Sequence, residues 1–285
     1  MWKYVWIAVF AAMIFAAPVA ILLGRSRERR AVSKLEASLR KGGLGQARRQ
    51  VQFSDHAALP TPVARYFRKV LADGQPLIKS ATMRQTGELR TSITSSTWRR
   101  FTARQLVVPG APGFVWYARI RVARGLHVDV LDSYVGGMGL GRVSFLSAIP
   151  IGCDSRSPEL NSGELHRYLA EAVWYPTALL PQSGVRWSPI DAHAALATLT
   201  DNGTTVSLEF RFNDADEVVG IYTKGRFSRV DGTYRELPWE GHFSNYAPRF
   251  GVHVPGYAEV GWYERGEWQV VWKGETTEQS MEFER

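Results

Sequence analysis

The sequence predicts a mainly β protein with a few helices: one curved antiparallel sheet, an incomplete barrel covering helices, preceded by one transmembrane helix. Three observations predict it. Residues 4–24 are uncharged and apolar, later segments alternate apolar and polar with period two, and turn signals separate those segments.

The helix comes first. Residues 5–23 are broken only by Pro18, which a spanning helix tolerates near one end. At about 1.5 Å per residue the run just crosses a hydrocarbon core of about 30 Å. Trp2, Tyr4 and Trp6 stand at one edge, where amphipathic rings favour the headgroup level. A cleaved signal peptide competes with this reading, because Lys3 gives a charged start and Ala16, Ala17 and Ala20 are small. All eight units of net positive charge lie nearby: ten Lys and Arg against two acids before Gln50, then 25 against 25. The basic balance therefore describes a membrane flank and excludes a nucleic-acid surface as its explanation. Arg25, Arg27, Arg29, Arg30 and Lys34 follow the apolar run as a solvated flank or as a strip on anionic headgroups.

The predicted divisions are residues 1–24 as anchor, 25–54 as basic juxtamembrane segment and linker, and 55–285 as one β domain. Gly42, Gly43 and Gly45 mark the linker, and the roughly 235 residues beyond it suffice for a sizeable core. Thr61 before Pro62 caps a helix near 61–72, with Val63, Tyr66, Phe67, Val70 and Leu71 at helical spacing. Its Arg65, Arg68 and Lys69 form a solvated face. Strand-like runs follow at 82–90, 98–107, 114–122, 127–135 and 142–149. The clearest alternation is TVSLEFRF at 205–212, which buries Val206, Leu208, Phe210 and Phe212 on one face. Asp201-Asn202-Gly203, Asn213-Asp214, Asp231-Gly232 and Arg265-Gly266 then punctuate a meander of roughly eleven or twelve strands in all. A second helical segment near 162–180, capped by Asn161 or Ser162, interrupts the strands and breaks near Tyr175 at Pro176.

The segments LPTPVARYF at 59–67, GELHRYLAEAVWYPTALLP at 163–181 and PWEGHFSNY at 238–246 resemble an uncharacterised bacterial family of membrane-anchored proteins, a domain of unknown function. The resemblance brings no activity. In element order and turn placement the chain also resembles the half-barrel of periplasmic lipoprotein carriers, which implies acyl chains held between a curved sheet and its helices. That resemblance places the domain in the periplasm, whereas the positive-inside rule places it on the cytoplasmic side of the inner membrane.

Glu164, Arg167, Tyr168 and Glu171 fall on one helix face at spacings of three and four. They suit an ion-pair network, and an enzyme would use the same face for acid–base chemistry. His166 is out of phase with them. GGMGLG at 136–141 lacks the third glycine of a dinucleotide loop and continues as a strand, which fits a hairpin turn. Six dispersed histidines and the single Cys153 form no metal-ligand pattern, so no metal and no cofactor are expected, and no catalytic residue is assigned. Ten tryptophans suit either a large aromatic core or the wall of an apolar cavity. Trp116, Tyr168, Trp174, Tyr175 and Trp262 are the expected ligand-binding residues. The function these features predict is membrane-tethered, non-catalytic binding of an apolar ligand such as a lipid acyl chain. Alternatives are a protein-interaction scaffold with a solid core and an enzyme using the Glu164 face.

Overall fold

A computed structural model describes residues 2–43, 50–56, 58–230 and 232–284, with side chains in the first helix at 2, 6 and from 18 onward. Helix α1 (Trp2–Gly42) and helix α2 (Thr61–Val70) precede β1 (Ile78–Leu89), β2 (Arg99–Val107), β3 (Phe114–Ala123), β4 (Leu126–Val135), β5 (Met138–Phe145) and β6 (Ile149–Ser155). Helix α3 (Pro158–Glu171) follows, then 3₁₀ turns at Ala172–Trp174, Pro176–Leu179 and Pro181–Ser183. The chain ends in β7 (Val185–Pro189), β8 (Ala194–Asp201), β9 (Thr204–Phe212), β10 (Val218–Val230), β11 (Thr233–Arg249), β12 (Val252–Glu264) and β13 (Glu267–Phe283).

These strands form one antiparallel sheet in the order β6-β5-β4-β3-β2-β1-β13-β12-β11-β10-β9-β8-β7. One meander runs from β1, beside the middle strand, out to the edge β6. Helix α3 then crosses to the opposite edge at β7, and a second meander returns to β13, which pairs with β1. The sheet curls into a half-barrel: Arg229 of β10 and Tyr234 of β11 both reach Asp154 on the edge strand β6, at 3.0 and 2.7 Å. The mainly β, half-barrel expectation is met.

Several boundaries differ for local reasons. Helix α3 starts at Pro158, not near 162, because Ser157 Oγ accepts the Leu160 N–H at 3.1 Å and proline occupies the first turn. Asn161 is no cap; its Oδ1 accepts from Gly139 N at 2.7 Å and ties the helix to β5. Helix α2 starts at Thr61, but the capping position is Pro60 and no side chain caps it. Its Arg65 is not simply solvated, since Nε meets Asp216 Oδ1 at 2.7 Å. The predicted strand 142–149 is two strands, split by left-handed Leu146 and Ser147 at φ 55 and 57°. GGMGLG is a hairpin, with Gly136 and Gly137 in the β4–β5 turn at positive φ.

The two faces of the sheet differ in what covers them. On the inner face, α2, α3 and the 3₁₀ turns fill the curve with one continuous core that includes Tyr66, Phe67, Met83, Phe114, Leu165, Leu169, Phe210 and Phe243. On the outer face, Leu106, Val108, Val115 and Leu131 pack against Val32, Leu35 and Leu39 of α1. Residues 21, 24, 25, 28, 32, 35, 36 and 39 are all shielded, a helical stripe. The segment after Gly24 is therefore part of the folded domain and not a solvated flank. Among the described residues no helix is long and apolar enough to cross a membrane. Most side chains of the apolar run, and the linker residues 44–49 altogether, lie outside what is described.

Candidate functional site

Helix α3 drives its predicted polar face into the core. Arg167 meets Glu171 at 2.7 Å and Asp132 of β4 at 3.0 Å. Gln105 of β2 donates to Glu171 at 2.5 Å, and Trp116 Nε1 donates to Gln85 of β1 at 2.8 Å. Arg226 of β10 donates to the Gly163 carbonyl at 3.0 Å. Both guanidiniums are stacked on rings: Arg167 over Phe114 and Trp116, Arg226 over Trp239 and Trp262, at 4.6–5.0 Å to the centroids.

Glu164 joins this group with Oε2 unpartnered. Burial, and after it the neighbouring Asp132, push its carboxyl up to about 8. Charge balance makes physical sense of that shift. With Glu164 neutral, the carboxylates of Asp132 and Glu171 face the guanidiniums of Arg167 and Arg226, two against two. Burial brings Arg226 down to about 10 and His166 down to about 4. His166 bonds through Nδ1 to the Ser162 carbonyl at 3.0 Å, and the charge of Arg226 adds to the burial that lowers it.

The five expected ligand-binding residues belong to the same closed interior. Trp116 is used by Gln85 and Arg167, and Trp174 Nε1 donates to the Pro255 carbonyl at 2.9 Å. Tyr175 donates to the Tyr168 carbonyl at 2.9 Å, and Trp262 lies under Arg226. None of the four described cavities is lined by Trp116, Tyr168, Trp174, Tyr175 or Trp262, or by Glu164, Arg167 or Glu171. The expected cavity wall is an aromatic core around an ion cluster. Asp132, Gln85 and Gln105 were legible as polar residues in the apolar phase of their strands. Arg226 was not, because a register shift between Thr223 and Arg226 changes its phase.

The open space is on the other side of the sheet. A cavity of about 690 Å³ lies over β1–β4, lined by Thr86, Glu88, Arg100, Phe101, Arg121 and Leu126 among others. Three smaller ones, of about 410, 460 and 390 Å³, lie between α1 and the sheet or along them. They share lining residues: Arg119 lines three of them, and Arg25 and Arg29 line two. Arg119 itself is fixed by Asp129 and Ser147, each at 3.1 Å.

Ser147, His127 and Asp129 meet beside this groove, but not as a nucleophile with its base. His127 Nε2 faces both Ser147 Oγ at 3.1 Å and Asp129 Oδ2 at 3.4 Å. A triad needs the carboxylate on the other ring nitrogen. Arg119 also donates to the hydroxyl, and burial lowers the basicity of His127.

A family model described as a family of unknown function (DUF6544) matches residues 49–274. The three segments singled out in the sequence all lie within that span. No curated protein matches the chain. Among solved structures, a LolA superfamily protein from Nitrosomonas europaea is similar at 11% identity and a TM-score of 0.40, over 73% of this chain and 88% of that one.

Proposed function

The chain belongs to DUF6544, a family of unknown function, so its role has to be read from its own geometry, and we propose a membrane-tethered, non-catalytic binder of an amphiphile. The ligand has an apolar chain such as a lipid acyl chain and an anionic head, and it sits in the outer groove, not under the half-barrel. The observation that carries this reading is the row of neighbouring cavities on the outer side, which share Arg119, Arg25 and Arg29. Ala123 and Leu126 give it apolar wall, and Arg25, Arg29, Arg100, Arg119 and Arg121 give it cations. Each buried methylene contributes about 0.8 kcal/mol, so half a dozen would offset much of the ordering cost of a chain. The apolar run of 5–23 supplies the tether, and α1 carries it into the wall of the groove without a break.

One observation favours the scaffold reading instead: the inner face holds one continuous core, and none of the four described cavities is lined by its expected ligand-binding residues. A photoreactive fatty acid separates the two. With the full chain in detergent micelles, crosslinks at peptides of β1–β3, competed by unlabelled oleate and lost in Thr102→Trp, are the expected result. Thr102 is exposed and lines two of the cavities, so a bulky ring there fills the groove without disturbing the core. Crosslinks confined to the apolar run, unaffected by Thr102→Trp, would leave only the scaffold.

A further inference from the structure

We infer that one end of the sheet, formed by the β3–β4 and β5–β6 turns, is itself a membrane-docking surface that rests in the headgroup layer of an anionic bilayer. The inference rests on the tether reading above.

The position of that end follows from α1. The helix is continuous from Trp2 to Gly42, and its Gly24 lies so close to the β5–β6 turn that a Cβ would meet Ala148 backbone at 2.7 Å. One residue on, Arg25 Nε donates to the Leu146 carbonyl at 3.1 Å. The turn is therefore clamped beside the point where the apolar run ends, with Val19, Leu22 and Leu23 exposed just before it. Its two left-handed residues would be strained alone. Arg25 on Leu146, and Arg119 and His127 on Ser147, hold them in place.

The surface chemistry at this end is that of an interface with lipid. Outside α1, seven large apolar residues are exposed among the described residues, and four are here: Val122 at 40%, Leu126 at 43%, Ile149 at 50% and Ile151 at 59%. Strand β6 is an edge whose residues from Ile149 to Cys153 bury neither face. A soluble protein blunts such an edge with charge, since it otherwise templates aggregation; this one presents isoleucines. Around the apolar side chains stand Arg99, Arg100, Arg121 and Arg124, the last two without an ion-pair partner among the described residues. Apolar tips ringed by arginine match an anionic headgroup layer in both terms. A docked end also brings the groove over β1–β4 level with the lipid, because Leu126 and Arg121 line it.

The test uses the full chain with Cys153→Ser, reconstituted in phosphatidylcholine vesicles with and without phosphatidylglycerol. Single cysteines at Leu22, Leu126, Ile151 and Met138 carry an environment-sensitive dye, and brominated lipid is the quencher. Met138 is exposed like the others but begins β5 at the opposite end of the sheet. The expected result is quenching at Leu22→Cys, Leu126→Cys and Ile151→Cys, and none at Met138→Cys. Quenching at Leu126→Cys should weaken without phosphatidylglycerol, and Arg121→Ala should lower the docked-to-undocked ratio by about fivefold. Quenching at Leu22→Cys alone overturns the inference while leaving the tether standing. No quenching at Leu22→Cys removes the tether, and the inference with it. A buried, unquenched dye at Ile151→Cys would mean that a second copy covers the β6 edge, which also overturns it.

Discussion

On the inner face of the sheet Arg167 and Arg226 are sealed among rings and carboxyls, whereas on the outer face Arg25, Arg104 and Arg119 wall an open groove. Both faces are read from the same strands, one residue apart. The inner arginines are balanced in charge and shut away from the four described cavities. The outer ones exceed their acids and stay hydrated. The same side chain is thus a structural pin on one side of the sheet and a hydrated cation on the other, and the surroundings decide which.

The sharpest way to break this contrast is to remove one arginine from each face. Arg167→Ala strips the partner from Asp132 and Glu171 and leaves charge without compensation in the interior, at a cost of about 3–5 kcal/mol. Arg104→Ala removes a 2.7 Å pair with Glu36 whose arginine is half exposed, at a cost of about 0–1 kcal/mol. Urea unfolding of the two variants measures the difference. Equal losses would mean that the outer face is as closed as the inner.

A smaller effect comes from the joint between α1 and the sheet. Leu39 is buried against Gly113, whose missing side chain lets the leucine in: a Cβ there would meet Leu39 Cδ1 at 2.6 Å. Leu39→Ala should cost about 2–3 kcal/mol if α1 unfolds together with the domain. If the urea midpoint is unmoved, residues 25–42 are a passive stalk and the groove they wall is not a fixed feature.

How much of this was legible depends on what each signal measures. Period two and the turn dipeptides report local backbone, so the strands and the split at Pro176 could be read from the residues. The α3 face was legible as a network because its spacing is also local. Its partners on β4 and β10 come from chain more than 30 residues away in each direction, beyond what periodicity can pair. The tryptophans misled for a related reason. Composition says that rings are many, but only the stacking of Arg226 over Trp239 and Trp262 says what they pack against. In α1 the arginines drew attention to charge, while Val32, Leu35 and Leu39 already carried the stripe that packs on the sheet.

The finest distinction between the faces is in their response to pH. Glu164 has a folded value near 8 against an ordinary 4.5, so folding takes up a proton there, and the stability it contributes is lost as pH rises through that range. His166 runs the other way: near 4 when folded against an ordinary 6.5, it releases a proton on folding and costs stability as pH falls through that range. Between about pH 4.5 and 6.5 the two cancel, because one proton is gained and one is lost. From about 6.5 to 8 only Glu164 acts, and stability should fall by up to about 1.4 kcal/mol per pH unit. Burial raises Asp132 as well, which adds in the same direction. Urea midpoints on either side of that window measure the slope, and Glu164→Gln, neutral at every pH, should flatten it. A slope left unchanged by Glu164→Gln would mean that the proton taken up on folding sits on Asp132, and the assignment of the neutral carboxyl to Glu164 would be wrong.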